Sequence, residues 1–405
     1  MTVWQLITRH FRLLALGVLL TALSGFGQTF LISVFGGELR AALGLGNTGY
    51  GLVYSLATVA SAATLVRVGR VVDTRDLKLV TAAVLAAAAL GCFLLAGVES
   101  VAMLLLAFYI LRLSGQGMMV HVAQTTMARY FQAERGRAVS IATLGLPMAE
   151  AVLPLTMVAI MAWVGWRGAW ITAGTALLVV MIPLSLYLLR GHAARADAWQ
   201  AEQDAHAEAT EDTGRPWRRR DVLRHPTFYA LLPPLLGPPL IVTALFFHQV
   251  PLAEDKGWSV EWLAASFPAF GATHVIGLLG AGPLVDRFGA QRLVPFLLVP
   301  MVVALLVLAL AETAWAAPAY LLFMGLSAGT TGTLMGAIWA ELYGTAHLGA
   351  IRALAQSIMI VATAVTPVAI GWVLDSGGTA PGIALAFAAY CLAAMALAGT
   401  AGQRR

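Results

Sequence analysis

Twelve apolar runs of about 20 residues pass along this chain. They lie near 12–35, 48–68, 78–98, 100–124, 138–161 and 167–189, then near 226–251, 261–283, 290–311, 314–340, 349–373 and 381–400. A run of that length is what a helix rising 1.5 Å per residue needs to cross a ~30 Å hydrocarbon layer. Composition agrees: 60% of the residues are hydrophobic and 11% charged, against roughly half and a quarter in soluble domains. The solvent of such a chain is lipid, and the fold it predicts is an all-α membrane protein of twelve transmembrane helices. Arg9 and Arg12 precede the first run as they would a signal peptide, but the apolar stretch continues to Phe35 with no clear small-residue cleavage site, so a retained helix is expected.

Other classes lose their footing on simple counts. Cys92 and Cys391 are the only cysteines and both sit in apolar stretches, which leaves neither a disulfide framework nor a cysteine metal site. No metal and no cofactor are expected. A net charge of +5 is too small to suggest nucleic acid when membrane topology also draws on basic residues.

The basic residues report sidedness. With alternate loops on opposite faces, all but four of the 25 Lys and Arg fall on the side of the N-terminus; Arg40, Arg167 and Lys256 lie opposite and Arg112 lies within a span. The positive-inside rule then puts both termini in the cytoplasm, and with them the charged segment from His192 to Arg224. Trp217 with Arg218, Arg219 and Arg220 could rest on lipid headgroups, although a solvated linker is the plainer reading. That segment divides the chain into a six-helix half over 1–190, a linker over 191–225 and a second six-helix half over 226–405. The halves share a repeat: Gly69 and Gly282, Asp73 and Asp286, Tyr130 and Tyr343, and Gly136 and Gly349 each stand 213 residues apart. Two pseudo-symmetric bundles are what a protein rocking about a midplane site requires.

The loop after the eighth run, Gly282-Pro-Leu-Val-Asp286-Arg287-Phe-Gly289-Ala-Gln-Arg292, resembles the loop motif Gly-x-x-x-Asp-Arg-x-Gly-Arg-Arg of the major facilitator superfamily. The first copy keeps Gly69 and Asp73 but has Thr74 in the arginine place and Asp76 in the second glycine place. The resemblance implies the major facilitator fold, a pathway lined by the first, fourth, seventh and tenth spans, and a gating role for the two loops. Tyr130-Phe131, Arg135-Gly136-Arg137-Ala138, Gly145 and Gly165-Trp166-Arg167 further resemble bacterial members near the monocarboxylate and oxalate/formate branch. The first span departs from that branch, carrying Ser24-Gly25-Phe26-Gly27-Gln28 where an acidic-Gly-Gly-aromatic signature is common.

Ionisable groups at membrane depth cost several kcal/mol unless paired or wet, so each is a candidate site. Arg112 lies about 12 residues into the fourth span and Glu150 about as far into the fifth from the other face. They share a depth on consecutive helices, as a fixed ion pair or as an anion site with a proton acceptor beside it. At 100° per residue Arg112, Gln116, Met119 and Ala123 make one stripe of the fourth span, and Gly117, His121 and Gln124 nearly the opposite one. By resemblance Arg112 stands close to a transmembrane arginine kept in the superfamily.

Substrate contacts are expected at Arg112, Gln116, Gln28, His248 and Gln249, proton coupling at Glu150 and His274, and loop gating at Gly69, Asp73, Gly282, Asp286 and Arg287. An isolated intramembrane His or Gln can equally be a helix-to-helix hydrogen bond. Phe246, Phe247 and Trp339 are candidate pocket walls, or contacts to lipid and neighbouring helices. Pro147 and Pro154 bracket Glu150 and, with Gly145, resemble a loosened form of the fifth-span pattern of antiporters.

The resulting expectation is a secondary active transporter of a small organic solute, an organic anion such as a monocarboxylate, driven by a proton or by exchange. It would be a monomer in a bacterial inner membrane. A drug or metabolite efflux antiporter is the alternative. An enzyme would need a nucleophile with a base or a metal cluster inside the spans, a channel would need polar rings, and neither pattern occurs. No Gly-x-x-x-x-Gly-Lys-Ser/Thr loop offers coupling to ATP.

Overall fold

The computed structural model describes residues 3–131, 134–191, 219–344 and 348–401. Most of the linker, including Ala201, Trp217 and Arg218, and the extreme chain ends lie outside the described residues. The described residues form helices, turns and bends and no strand.

Among the described residues eleven helices are long and apolar enough to cross a membrane. One of them, Gly136–Leu188, has 53 residues, about 80 Å at 1.5 Å per residue and far more than one crossing needs. Gly165 breaks it with φ 72° and ψ 169°, a conformation open to glycine because no Cβ is present to clash. Each of its two arms is long enough for a crossing of its own, which gives the twelve expected spans among the described residues. The helices are α1 (Val3–Leu23), α2 (Asn47–Val68), α3 (Leu77–Ala96), α4 (Val101–Tyr130), α5 and α6 (the arms 136–164 and 166–188) and α7 (Pro226–Phe247). They continue as α8 (Val260–Phe288), α9 (Ala290–Leu310), α10 (Ala316–Tyr343), α11 (Leu348–Asp375) and α12 (Ala380–Ala401).

Packing groups the chain into two compact units, Met1–Glu38 with Leu56–Glu211, and Leu39–Ser55 with Asp212–Arg405. The helix α2 therefore belongs to the second unit up to Ser55 and to the first from Leu56.

In the first unit the first apolar run is not one helix. α1 ends at Leu23, a 3-10 turn covers Ser24–Gly27, and Gln28 is extended at φ −89° and ψ 154° before helical turns resume at Thr29. Two glycines in three residues weaken the helix here, and α4 and α5 press against the break. A Cβ on Gly27 would lie 2.1 Å from the Leu111 carbonyl oxygen, and one on Gly25 would lie 2.6 Å from Leu153 Cδ1. Lower on α1, a Cβ on Gly145 would reach within 2.0 Å of the Val18 carbonyl oxygen. The Thr21 hydroxyl donates to the Ala142 carbonyl at the start of α5. Such backbone approaches hold helices together where lipid removes the hydrophobic drive.

The second unit uses the same device between α8 and α10. Added Cβ atoms on Gly325 and Gly329 would lie 2.4 and 2.1 Å from the carbonyl oxygens of Phe270 and His274, and one on Gly277 would lie 2.6 Å from that of Leu326. Ser327 ties α10 to the Leu297 carbonyl of α9 at 2.8 Å. Towards the ends of α7, α9 and α10, Phe228, Val294, Leu297, Trp339 and Tyr343 form one buried cluster.

Candidate functional site

Helix α4 changes its winding where its only interior charge sits. Residues Arg112–Met119 are π-helical, a form that appears mostly as short insertions in α-helices, frequently at functional sites. The segment Arg112-Leu-Ser-Gly-Gln-Gly has two glycines in its middle, and Gly115 lets α4 meet the break in α1. A Cβ on Gly115 would lie 2.7 Å from both N and Cα of Gly27. The Arg112 side chain is buried at 4% exposure, and its Nη1 donates to the Gly27 carbonyl oxygen at 3.2 Å.

The looser winding corrects the expected stripe. Arg112, Met119 and Ala123 are buried, but Gln116 is exposed, because a 100° step does not hold across a π-helical segment. The opposite stripe has a plain use: Gly117 faces Leu65 of α2, and His121 Nε2 hydrogen-bonds the Gly69 carbonyl oxygen at 3.1 Å. Gln124 is exposed.

The break in α1 gathers the rest of the site in the first unit. Gln28, half-buried, follows the 3-10 turn directly, and its backbone N–H bonds the Gly25 carbonyl at 3.0 Å. On the far side of the turn an added Cβ on Gly25 would lie 3.3 Å from the Ala149 Cβ, one residue before Glu150. Glu150 is buried at 7% exposure. Ser24–Gly27 thus has the arginine helix on one flank and the glutamate helix on the other.

In the second unit α7 breaks at His248, with φ −102° and ψ 23°, before a short helix Gln249–Asp255. His248 and Gln249 are both buried, and His248 Nε2 donates to the Pro367 carbonyl oxygen of α11 at 2.8 Å. His248 therefore serves as a helix-to-helix tie. His274 is half-buried with its ring edge-on to Phe270 at 5.6 Å. The aromatic candidates pack on neighbouring helices. Phe246 lies between Phe267 and Phe270, Phe247 against Tyr50 and Tyr54, and Trp339 parallel to Tyr343.

The two loop copies differ for a reason the structure supplies. In the first, Gly69 takes the His121 bond, Arg129 Nη1 reaches the Val72 carbonyl at 3.5 Å, and Asp73 falls on the short helix Val71–Thr74. Asp76, which displaces the second motif glycine, is the N-cap of α3: its carboxylate accepts from Lys78 N at 2.7 Å and Leu79 N at 3.3 Å. In the second copy Gly289 keeps its place at φ 80°, and the cap comes from elsewhere, with Glu341 of α10 accepting from Ala290 N at 2.7 Å. Gly282 lies within α8, Asp286 is exposed and makes no hydrogen bond to another described residue, and Arg287 lies over the Phe288 ring at 5.2 Å. Arg352 donates to the Gly336 carbonyl. The Gly165-Trp166-Arg167 segment is structural: Arg167 Nη1 bonds the carbonyls of Ala96 and Val98, closing the end of α3.

Two groups escaped the sequence reading. Glu341 has no counterpart at the repeat offset, where residue 128 is alanine. Asp375 ends an apolar run as an ordinary loop charge would. Their partners are 51 and more than 300 residues away, so spacing carried no signal. Among the described residues no three His, Cys, Asp or Glu side chains gather as metal ligands.

No curated protein sequence matches this chain. Solved structures share its fold. A bacterial homologue of the human lysosomal transporter Spinster, inward-facing and occupied, aligns at TM-score 0.70 and 14% identity over 98% of both chains. The nucleoside transporter NupG aligns at TM-score 0.69 and 16% identity over 98% of this chain and 99% of the other. Neither supports the monocarboxylate and oxalate/formate branch, whose likeness rests on the sequence around 130–167 alone. The sequence model of the Major Facilitator Superfamily matches residues 17–322, three quarters of the chain, and with the twelve-span fold the conclusion is that this protein belongs to that superfamily and is a transporter.

Proposed function

We propose that the protein is a proton-coupled or exchanging carrier of a small organic anion, which it binds at Arg112. The observation that carries this reading is the buried Arg112 guanidinium, held against a broken helix by a neutral carbonyl. A guanidinium stays charged at any working pH and offers five donors in a fork that matches a carboxylate. An arriving anion would compete with the Gly27 carbonyl for this guanidinium. Gln28 and Gln116, on the two segments that meet there, would supply neutral hydrogen bonds to the same solute. Glu150, buried across the turn, is the proposed proton carrier. In the second unit His274 is the other proposed proton-coupling group, and His248 and Gln249 are proposed substrate contacts.

The proposed setting is a bacterial inner membrane, with the protein acting as a monomer and both termini and the linker cytoplasmic, on the distribution of basic residues. The two halves, 1–190 and 226–405, would alternate access as rigid bodies. Efflux by exchange is the second reading, supported by the close seat of Gly145 on Val18 and by Pro147 and Pro154 in α5, which resemble the antiporter pattern.

A thermal-shift screen of the purified protein against organic anions, cations and neutral drugs tests the reading, since a ligand of the native state raises apparent stability. Stabilisation by a class of anions, lost in Arg112→Gln, is the expected result. Stabilisation by cations or neutral drugs alone would replace it with the efflux reading.

A further inference from the structure

Within the first unit, the start of α1 and the end of α6 meet at a single aromatic ring. Tyr187 lies in the last turn of α6, and the guanidinium carbons of Arg12 and Arg190 lie over its ring, 5.3 and 5.1 Å from the centroid. Arg12 reaches it from α1, two residues past the point where His10, at φ −125° and ψ 27°, kinks that helix. Arg190 reaches it from just beyond α6: its backbone N–H bonds the Tyr187 carbonyl at 3.1 Å, and Gly191 follows at φ 78°. Leu13 and Leu188, next in the chain to Arg12 and Tyr187, are buried, while Arg12, Tyr187 and Arg190 are exposed.

A cation over an aromatic face is only weakly attracted at an exposed site. The two guanidiniums lie within about a Debye length of each other, ~10 Å at 0.1 M salt, and repel. Among the described residues no carboxylate pairs with either of them. The result is an exposed spot of double positive charge whose planar forks match the oxygens of a phosphate. The surface beside it is apolar. Leu184, one turn before Tyr187, is exposed at 39%, Val180 at 52%, and Phe11 next to Arg12 at 61%. On a crossing helix such side chains face acyl chains, and a tyrosine at the end of a crossing sits at headgroup level. A free phosphate or an acidic peptide would use the arginines but not the apolar stripe, whereas a phospholipid uses both.

We propose that Arg12, Tyr187 and Arg190 form a binding site for one anionic phospholipid, with its phosphate on the two guanidiniums and an acyl chain along Leu184 and Val180. The bound headgroup relieves the repulsion between the arginines and ties the kinked start of α1 to the end of α6. Negative surface potential at the cytoplasmic leaflet, where the basic residues assign this end, attracts the same two charges. About a dozen residues of α1, ~18 Å of helix, separate the site from the Ser24–Gly27 turn. It therefore requires neither the proposed solute nor its coupling ion.

Native mass spectrometry of the purified protein, exposed in detergent to equal amounts of chain-matched phosphatidylglycerol and phosphatidylcholine, reads the preference directly. The wild type is expected to retain phosphatidylglycerol over phosphatidylcholine about 5- to 30-fold, as two arginines near a headgroup allow. Arg12→Gln with Arg190→Gln is expected to bring that ratio close to one. Arg220→Gln with Arg224→Gln removes the same charge from two exposed arginines of the second unit, and is expected to leave most of it. Tyr187→Phe keeps the ring and the preference, and Tyr187→Leu lowers it severalfold. Should the first double variant fail to fold, Arg190→Gln alone, at a position past the helix end, is expected to act in the same direction. Glycerol phosphate, which has the headgroup chemistry without the chains, is expected not to displace the lipid. An unchanged ratio when Arg12 and Arg190 are replaced, or an equal loss from both arginine pairs, would overturn the site in favour of diffuse surface charge. Displacement by glycerol phosphate at lipid concentrations would overturn it in favour of a free-anion site. No transported solute enters the measurement, so its outcome and that of the anion screen are independent.

Discussion

Arg112 and Glu150 are the residues proposed to carry the chemistry, because burial keeps water from both side chains. If the Arg112 fork grips a carboxylate, Arg112→Lys keeps the charge but loses the two-bond geometry, and anion affinity is expected to fall at least about tenfold, some 1.4 kcal/mol, by calorimetry or thermal shift. Binding unchanged in Arg112→Lys would reduce the residue to a structural tie. Glu150→Gln keeps shape and hydrogen bonding but removes the titrating proton. It is expected to retain binding and counterflow while pH-driven accumulation in proteoliposomes vanishes. Accumulation that persisted in the folded variant would remove Glu150 from coupling. The position of both residues in mid-helix was legible from their distance into each apolar run. Which neighbours they meet was not, since the π-helical winding of Arg112–Met119 shifts every later side chain.

Among the elements, α1 depends most on residues too small to be noticed. Gly27 and Gly115 allow α1 and α4 to touch backbone to backbone, and a methyl group on either would have to displace a main chain. Gly27→Ala is expected to cost about 1–3 kcal/mol through overpacking and to lower the melting temperature more than Gly280→Ala, whose added Cβ meets open space. The loops after α2 and α8 make a second comparison. Asp76→Ala removes the local cap of α3, expected to cost about 1 kcal/mol, and Glu341→Ala removes the borrowed cap on α9, leaving Ala290 N without it. Equal stability of wild type and Asp76→Ala in thermal unfolding would deny the cap its role. Asp286, which makes no such bond here, is expected to matter for cycling: Asp286→Asn should slow transport, leave binding nearly intact and shift the population toward the inward-open state. Unchanged flux would discard a gating role.

For the whole molecule, sidedness is the prediction that tests the topology. If the basic residues face the cytoplasm, cysteines replacing Glu99 and Glu254 are labelled from outside intact cells, and a cysteine at Ala201 only after permeabilisation. Labelling of Ala201→Cys in sealed cells would invert the assignment. The fold was readable at this scale because a bilayer admits few solutions: with no water to satisfy main-chain groups, every crossing has to be a helix or part of a closed barrel, and apolar length counts the helices. The loop motif at residues 282–292 then pointed to the superfamily that the family comparison supports.

The sequence by itself determined the number of crossings, their helical form, the positions of Arg112 and Glu150 along their helices, and the two loop copies, since each depends on local composition or on spacing along one helix. Only the tertiary structure decided that the first apolar run breaks at Ser24–Gly27 and that α4 turns π-helical against that break. It also decided that His248 is tied to Pro367, that Glu341 caps α9 and that Asp375 caps α2. Every one of these is a polar or backbone contact between segments far apart in the chain. Each satisfies a backbone or side-chain polar group, and the partner is chosen by which backbones approach closely enough, which no periodicity in the sequence records.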